Sequence, residues 1–105
     1  FNYPAPLRNG LEYLSQELAY KAAGVVSYGG VAAWTKAQNR LKNDLASLKV
    51  VAITQSVNFS FFQKNINDQN EFEANDISLK NADTMFRQLI RWTKGLKIIR
   101  EDKGT

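Results

Sequence analysis

KAAGVVSYGG (residues 21–30), VAAWTKAQNRLKNDLASLK (31–49) and VVAITQSVNF (50–59) follow one another without a break. Val25 and Val26 are β-branched and sit in an apolar run that ends at Gly29-Gly30. Such a run predicts a strand, Ala22–Ser27, without the alternation that one solvated face would impose, so it reads as buried on both faces. The next segment carries Val31, Trp34, Ala37, Leu41, Leu45 and Leu48 at helical spacing. It predicts a helix over Val31–Lys49. Val50–Val57 then reads as a second strand. Two strands joined by a helical crossover lie parallel. Ligands of such sheets bind at the carboxyl ends of the strands, here beside Ser27, Tyr28, Gly29 and Gly30.

Working outward, Pro6 suits the first turn of a helix, where its missing N–H costs nothing. Leu7, Leu11, Leu14 and Leu18 recur at steps of four, three and four. They predict one helix over Pro6–Leu18 with a single apolar face. After the second strand, Asn58–Asn75 is irregular, with Phe59, Phe61, Phe62, Ile66 and Phe72 as apolar anchors. Asn67-Asp68-Gln69-Asn70 reads as a turn, because Asn and Asp bond their own main chain and tolerate left-handed backbone. Asp76 is the expected N-cap of a last helix over Ile77–Lys97. Arg100–Thr105 reads as a polar tail.

The 105 residues make at most one domain. The sequence holds neither cysteine nor histidine. Metal sites of the zinc, copper and haem kinds, and histidine-based acid–base chemistry, are therefore not expected. A reducing, cytoplasmic setting is the expectation for a chain without cysteine. No apolar run approaches the roughly 20 residues that span a bilayer, so no membrane partner is expected. The net charge of +4 comes from cations interleaved with Asp and Glu. Arg87, Arg91, Lys94, Lys97 and Arg100 gather near one helix C-terminus, where cations suit the macrodipole. No nucleic-acid partner is expected from that pattern. Glu12, Glu17 and Asp44 read as solvated charges. On spacing alone, Gly29-Gly30 is a strand-to-helix turn.

Set in order, these segments resemble the flavodoxin-like NAD(P)H-dependent FMN reductases. FNYPAPLRNGLEYLS (1–15) is similar to the family's proline-containing loop and following helix. AAGVVSYGGVAAWTKAQNRL (22–41) resembles its fourth strand, Gly-Gly loop and fourth helix. NFSFFQKNINDQNEF (58–72) and the later RWTKGLK (91–97) resemble its C-terminal part.

The resemblance implies the fold: the C-terminal part of a flavodoxin-like parallel sheet, with two strands and three main helices, as an incomplete three-layer sandwich. It makes residues 1–105 a single partial domain. It implies FMN as cofactor, NADPH or NADH as reductant, and flavin or quinone reduction by the complete parent protein. Carried over by position, Phe1, Asn2, Tyr3 and Pro4 from one loop contact the flavin ring. Ser27, Tyr28, Gly29 and Gly30 from the other do the same. Glycines let backbone N–H groups approach a flat ring, and an aromatic side chain shields one of its faces. The protein's task is then to position and tune the rings, with no protein acid or base required.

The resemblance also implies a homo-oligomer formed through helices Pro6–Leu18 and Val31–Lys49, with Tyr13, Leu14, Trp34 and Leu41 on its surface. The family's first strands and phosphate-binding loop are not among these residues. Trp34 stands where a small residue is common in the family. The alternative is a non-enzymatic remnant or interaction module that has lost the FMN phosphate site.

Overall fold

The computed structural model describes residues 3–29, 31–60 and 65–102, without the side chains of residues 31–34 and 60. Helices α1 (Ala5–Tyr13) and α2 (Ser15–Leu18) lead into strand β1 (Ala22–Gly29). Helix α3 (Val31–Ser47) crosses over to strand β2 (Val51–Ser60), and helix α4 (Asp76–Glu101) completes the chain. The strands pair in parallel as a two-stranded sheet. This is an α/β architecture, consistent with part of a flavodoxin-like fold.

The pairing contains one slip. Ala23 pairs with Ala52 and Val25 with Ser56, so Gly24 alone stands opposite Ile53, Thr54 and Gln55. The insertion is even in number, and side chains alternate along a strand, so each face keeps its character across the slip. Ile53 and Val57 share one face with Met85 of α4, and these three buried residues form the core cluster. Ala22, Phe59, Ala82 and Leu89 pack around them. Ser56 lies on the opposite face, where Gln38 of α3 meets it. The helices α3 and α4 therefore cover opposite faces, and the sandwich has three layers.

Close packing sets the choice of residue at Gly24. A methyl group built there would lie 3.0 Å from Met85 Sδ and 3.3 Å from its Cγ. The missing side chain lets α4 settle on β1.

Two residues before each strand the backbone enters the left-handed region, at Tyr20 (φ 61°) and Lys49 (φ 63°). Lys49 ends α3 in a Schellman arrangement. The Val50 N–H donates to Leu45 O (2.9 Å) and the Lys49 N–H to Ala46 O (3.0 Å). Val50 and Leu45 are both buried, the apolar contact that accompanies this cap. The two loops are tied by the Tyr20 N–H to Lys49 O (2.7 Å), by Lys49 Nζ over the Tyr20 ring (5.8 Å), and by Arg100 Nη1 donating to Tyr20 O (2.8 Å). One of the clustered C-terminal cations thus anchors a strand entry.

Several expectations need correction. The single helix expected over Pro6–Leu18 breaks at Leu14, and neither α1 nor α2 buries a residue. Leu7 and Leu14 are about half exposed. A two-stranded sheet is too narrow to extend beneath this leucine face. β1 is not buried on both faces: Val26 is 56 % exposed and Tyr28 70 %. The core of α4 packs mainly against β2 and meets β1 at Ala22 and Gly24. The N-cap of α4 is Asn75, whose Oδ1 accepts from the Ser78 N–H (2.8 Å), rather than Asp76. Asp76 instead occupies the first turn, where a carboxylate meets the positive end of the macrodipole.

The turn expected at Asn67–Asn70 is present. Asn67 Oδ1 accepts from the N–H groups of Gln69 (3.0 Å) and Glu71 (2.8 Å), and Asn70 adopts φ 61°. Beyond the turn, Phe72 meets Phe59 edge to face at 5.3 Å, fixing the loop over the end of β2.

Candidate functional site

Four of the eight residues implied as flavin contacts come together. Tyr3, Pro4, Ser27 and Tyr28 line one slot of about 310 Å³, with Leu7 of α1 and Ala37, Gln38 and Leu41 of α3. Val25, Val26, Ser27 and Tyr28 all border it. Consecutive strand residues point to alternate faces, so a space bordered by four in a row runs along the strand's outer edge. Gly29 ends β1, opposite Ser60. Phe1, Asn2 and Gly30 lie outside the described residues, and so does the side chain of Trp34.

The start of the described chain is held in place. Tyr3 is only 9 % exposed, and its hydroxyl donates to Asp44 Oδ2 on α3. Asp44 is half-buried and is an acceptor rather than a solvated charge. Burial first, and then this hydrogen bond, push the Tyr3 phenol above its usual value. At neutral pH it is therefore a donor. Glu12 matches its reading as a surface charge, pairing with Arg8 at 3.4 Å across one helical turn.

A polar relay runs beneath the slot. Ser27 Oγ donates to Asn58 Oδ1 (2.6 Å), and Asn58 Nδ2 donates to Ser56 Oγ (3.2 Å). Gln38 Nε2 donates to the same Ser56 Oγ (2.9 Å). Ser27 thus has a fixed orientation at the mouth of the site. Gln38 is 7 % exposed, and its Oε1 has no partner. Sequence reasoning missed Gln38, although a signal was present. It lies three and seven residues before Leu41 and Leu45, inside the apolar stripe of α3. A polar side chain in such a stripe must be buried with a partner or beside a ligand.

A separate apolar groove of about 450 Å³ lies on α4, bordered by Trp92, Leu96 and Ile99. It holds none of the implied site residues. No described helix is long and apolar enough to cross a membrane. Among the described residues, no group of three or more His, Cys, Asp or Glu is placed to hold a metal ion.

No curated protein and no solved structure matches the chain. The family profile described as NADPH-dependent FMN reductase matches residues 1–64, which include α1, α2, β1, α3 and β2 and therefore every residue bordering the slot. That is more than half of the 105 residues, and the chain belongs to the NADPH-dependent FMN reductase family.

Proposed function

We propose that this chain is the ring-binding part of an NAD(P)H-dependent flavin reductase. One observation carries the reading: Tyr3 and Pro4 from the segment before α1, and Ser27 and Tyr28 from the second half of β1, border a single slot although they lie far apart in sequence. The residues fit a flat heterocycle. Pro4, Leu7, Val25 and Leu41 give apolar walls, Tyr28 an exposed ring, and Ser27 and Gln38 polar atoms of defined orientation. Small-molecule sites pair apolar walls with a few placed polar groups in this way.

FMN, when bound, supplies the hydride chemistry, taking reducing equivalents from NADPH or NADH and delivering them to a flavin or quinone acceptor. This chain's residues bind and orient. The Tyr3–Asp44 bond fixes the proline loop against α3, and the Ser27–Asn58–Ser56 relay fixes the strand end. Phe1, Asn2, Gly29 and Gly30, adjacent to these residues in sequence, complete the proposed contact set. The setting is cytoplasmic, as fits a reductase fed by nicotinamide nucleotide.

A homodimer forms part of the proposal. Tyr13 is 81 % exposed and Leu14 50 %, an apolar pair on the outer side of the first helical segment. Aromatic anchors of this kind are typical of interface centres.

The test is a titration of the purified protein with FMN, followed by flavin fluorescence, and then an assay of NADPH oxidation with a quinone as acceptor. Quenching that saturates and is weakened by Tyr28→Ala supports the reading. Absence of any flavin interaction at millimolar FMN overturns it.

A further inference from the structure

We propose that the face of α4 around Trp92, Gly95 and Ile99 is a docking surface for an anionic lipid bilayer, on which the chain lies without crossing it.

Helix α4 is held to the rest of the chain along one side, where Met85 and Leu96 are buried. Gln88, Trp92, Gly95 and Ile99 recur at steps of four, three and four and, with Arg91 and Leu96, border the groove of about 450 Å³. Ile98 is 70 % exposed, and Trp92 and Ile99 about half. The groove is open at Gly95, where an added methyl would meet nothing within 4 Å. A glycine weakens a helix interior, and no packing among the described residues calls for one here.

The charge on this part of the helix has one sign. Between Asp83 and Glu101 stand Arg87, Arg91, Lys94, Lys97 and Arg100, with no Asp or Glu among them. Arg87 pairs with Asp83 at 2.9 Å, Lys97 lies 4.0 Å from Glu101, and Arg100 donates to Tyr20 O. Arg91 and Lys94 are exposed and, among the described residues, form no ion pair. They lie before the last turn, so the macrodipole does not account for them.

These features select the partner. Lys94 and Ile98 are four residues apart, as are Gly95 and Ile99, and Trp92 precedes Ile99 by seven. Cations and apolar side chains are therefore interleaved in one patch rather than sorted to separate faces. A second copy would bring the same unpaired cations together. A nucleic acid would meet Arg91 and Lys94 but offer nothing to Ile98 and Ile99. The boundary between headgroups and acyl chains takes both: the isoleucines and the indole enter it, and the cation stems reach back to anionic headgroups. The patch is also clear of the candidate flavin site. That slot is bordered by α3, on the opposite face of the sheet, and by the second half of β1, whereas Arg100 meets Tyr20 before β1 begins.

The experiment is flotation of the whole chain with vesicles of phosphatidylcholine alone or of equal parts phosphatidylcholine and phosphatidylglycerol. Circular dichroism confirms that each variant folds. Wild type should float with the anionic vesicles, be released by added salt, and stay behind with the neutral ones. Arg91→Gln with Lys94→Gln should weaken binding at least about ten-fold, since each cation near such a surface is worth about five-fold. Ile98→Ser with Ile99→Ser, both exposed and so spared by the fold, should weaken it by a similar factor. In a Trp34→Phe background Trp92 is the sole indole, and lipids brominated on their acyl chains should quench it. Absence of binding to anionic vesicles overturns the proposal. So does equal binding to neutral ones, or binding that both double variants leave intact. Binding as tight to a DNA duplex, with the isoleucine variant unchanged, would make the patch a polyanion site and overturn the lipid assignment. A wild-type dimer that dissociates in the Ile98→Ser, Ile99→Ser variant would give the face to a second copy and overturn it as well.

Discussion

Tyr3 donates its phenolic hydrogen to Asp44, a residue 41 positions later on α3. This bond joins the proline loop to the crossover helix and so helps to hold the two sides of the candidate site together. Tyr3→Phe removes the donor and leaves the half-buried Asp44 acceptor without it. We expect a loss of about 1 kcal/mol in urea unfolding. Asp44→Ala should cost a similar amount, and the double variant less than the sum, since the two act as a unit.

The same contact gives a dependence on pH. The Tyr3 phenol is raised by burial, then by the bond to Asp44, above the value of about 10 that it has in an unfolded chain. The folded protein therefore keeps this proton where the unfolded chain has lost it. The contribution of Tyr3 is full below about pH 10 and is lost as pH rises through the folded value. Wild type should lose more stability than Tyr3→Phe between neutral pH and about pH 11, measured by urea unfolding at each pH. Parallel curves for the two proteins would show that Tyr3 does not titrate with folding.

Gly24 and Met85 set the seating of α4. The methyl of Gly24→Ala meets Met85 Sδ at 3.0 Å, and a thioether end can move a few tenths of an ångström. That variant should lie within about 1 kcal/mol of wild type. Gly24→Val overfills the contact and should destabilise by about 2 kcal/mol. Met85→Ala in the Gly24→Val background should recover part of that loss, although Met85→Ala alone should be strongly destabilising as a core truncation.

Lys49 occupies a helix C-cap position that glycine fills without strain. A side chain in the left-handed region costs roughly 1 kcal/mol. Lys49→Gly should therefore raise stability by about 0.5 kcal/mol, after about 0.5 kcal/mol is lost with the cation over Tyr20. A lower thermal midpoint for Lys49→Gly would show that the ring contact outweighs the backbone strain.

The order β1, α3, β2, α4 was legible because each element carries its own period. Val25-Val26 before Gly29-Gly30, and the Leu41–Leu45–Leu48 stripe, are local signals. The break at Leu14 was not legible, because Leu7, Leu11, Leu14 and Leu18 keep helical spacing through it. What fails there is the surface beneath, which lies elsewhere in the chain. Asn75 and Asp76 are both competent caps, and composition does not choose between neighbours. Of the site, Ser27 and Tyr28 followed from their place at a strand end. The relay from Ser27 to Gln38 depends on the slip that sets Gly24 against Ile53, Thr54 and Gln55. No period in the sequence encodes that slip. The Tyr3–Asp44 bond spans 41 residues and had no local sign at all.

The phosphate-binding loop implied by the family resemblance is not among these 105 residues. The ring loops are what this chain offers to FMN, and several charge-assisted N–H bonds to a phosphate are missing. FMN should bind the isolated chain more weakly than micromolar, and within a few-fold of lumiflavin, which has no phosphate. Submicromolar FMN binding, with lumiflavin far weaker, would show that these residues grip the phosphate themselves.

Association follows from what α1 leaves uncovered. Tyr13 and Leu14 present apolar surface that the narrow sheet does not cover, and Leu7 is 45 % exposed one helical face-repeat earlier. A second copy laid against Tyr13 and Leu14 buries both and leaves Leu7 in the wall of the slot. The contact is apolar, because the nearest ion pair, Arg8–Glu12, is already closed within its own helix at 3.4 Å. Added salt should therefore leave the association unweakened, whereas an interface built on charge would loosen. Sedimentation at tens of micromolar should give a dimer. Tyr13→Glu with Leu14→Glu should give a monomer whose helical content is unchanged, since neither residue is buried within the protomer. A wild-type monomer at that concentration, or a dimer that survives both substitutions, would place any contact between copies away from α1.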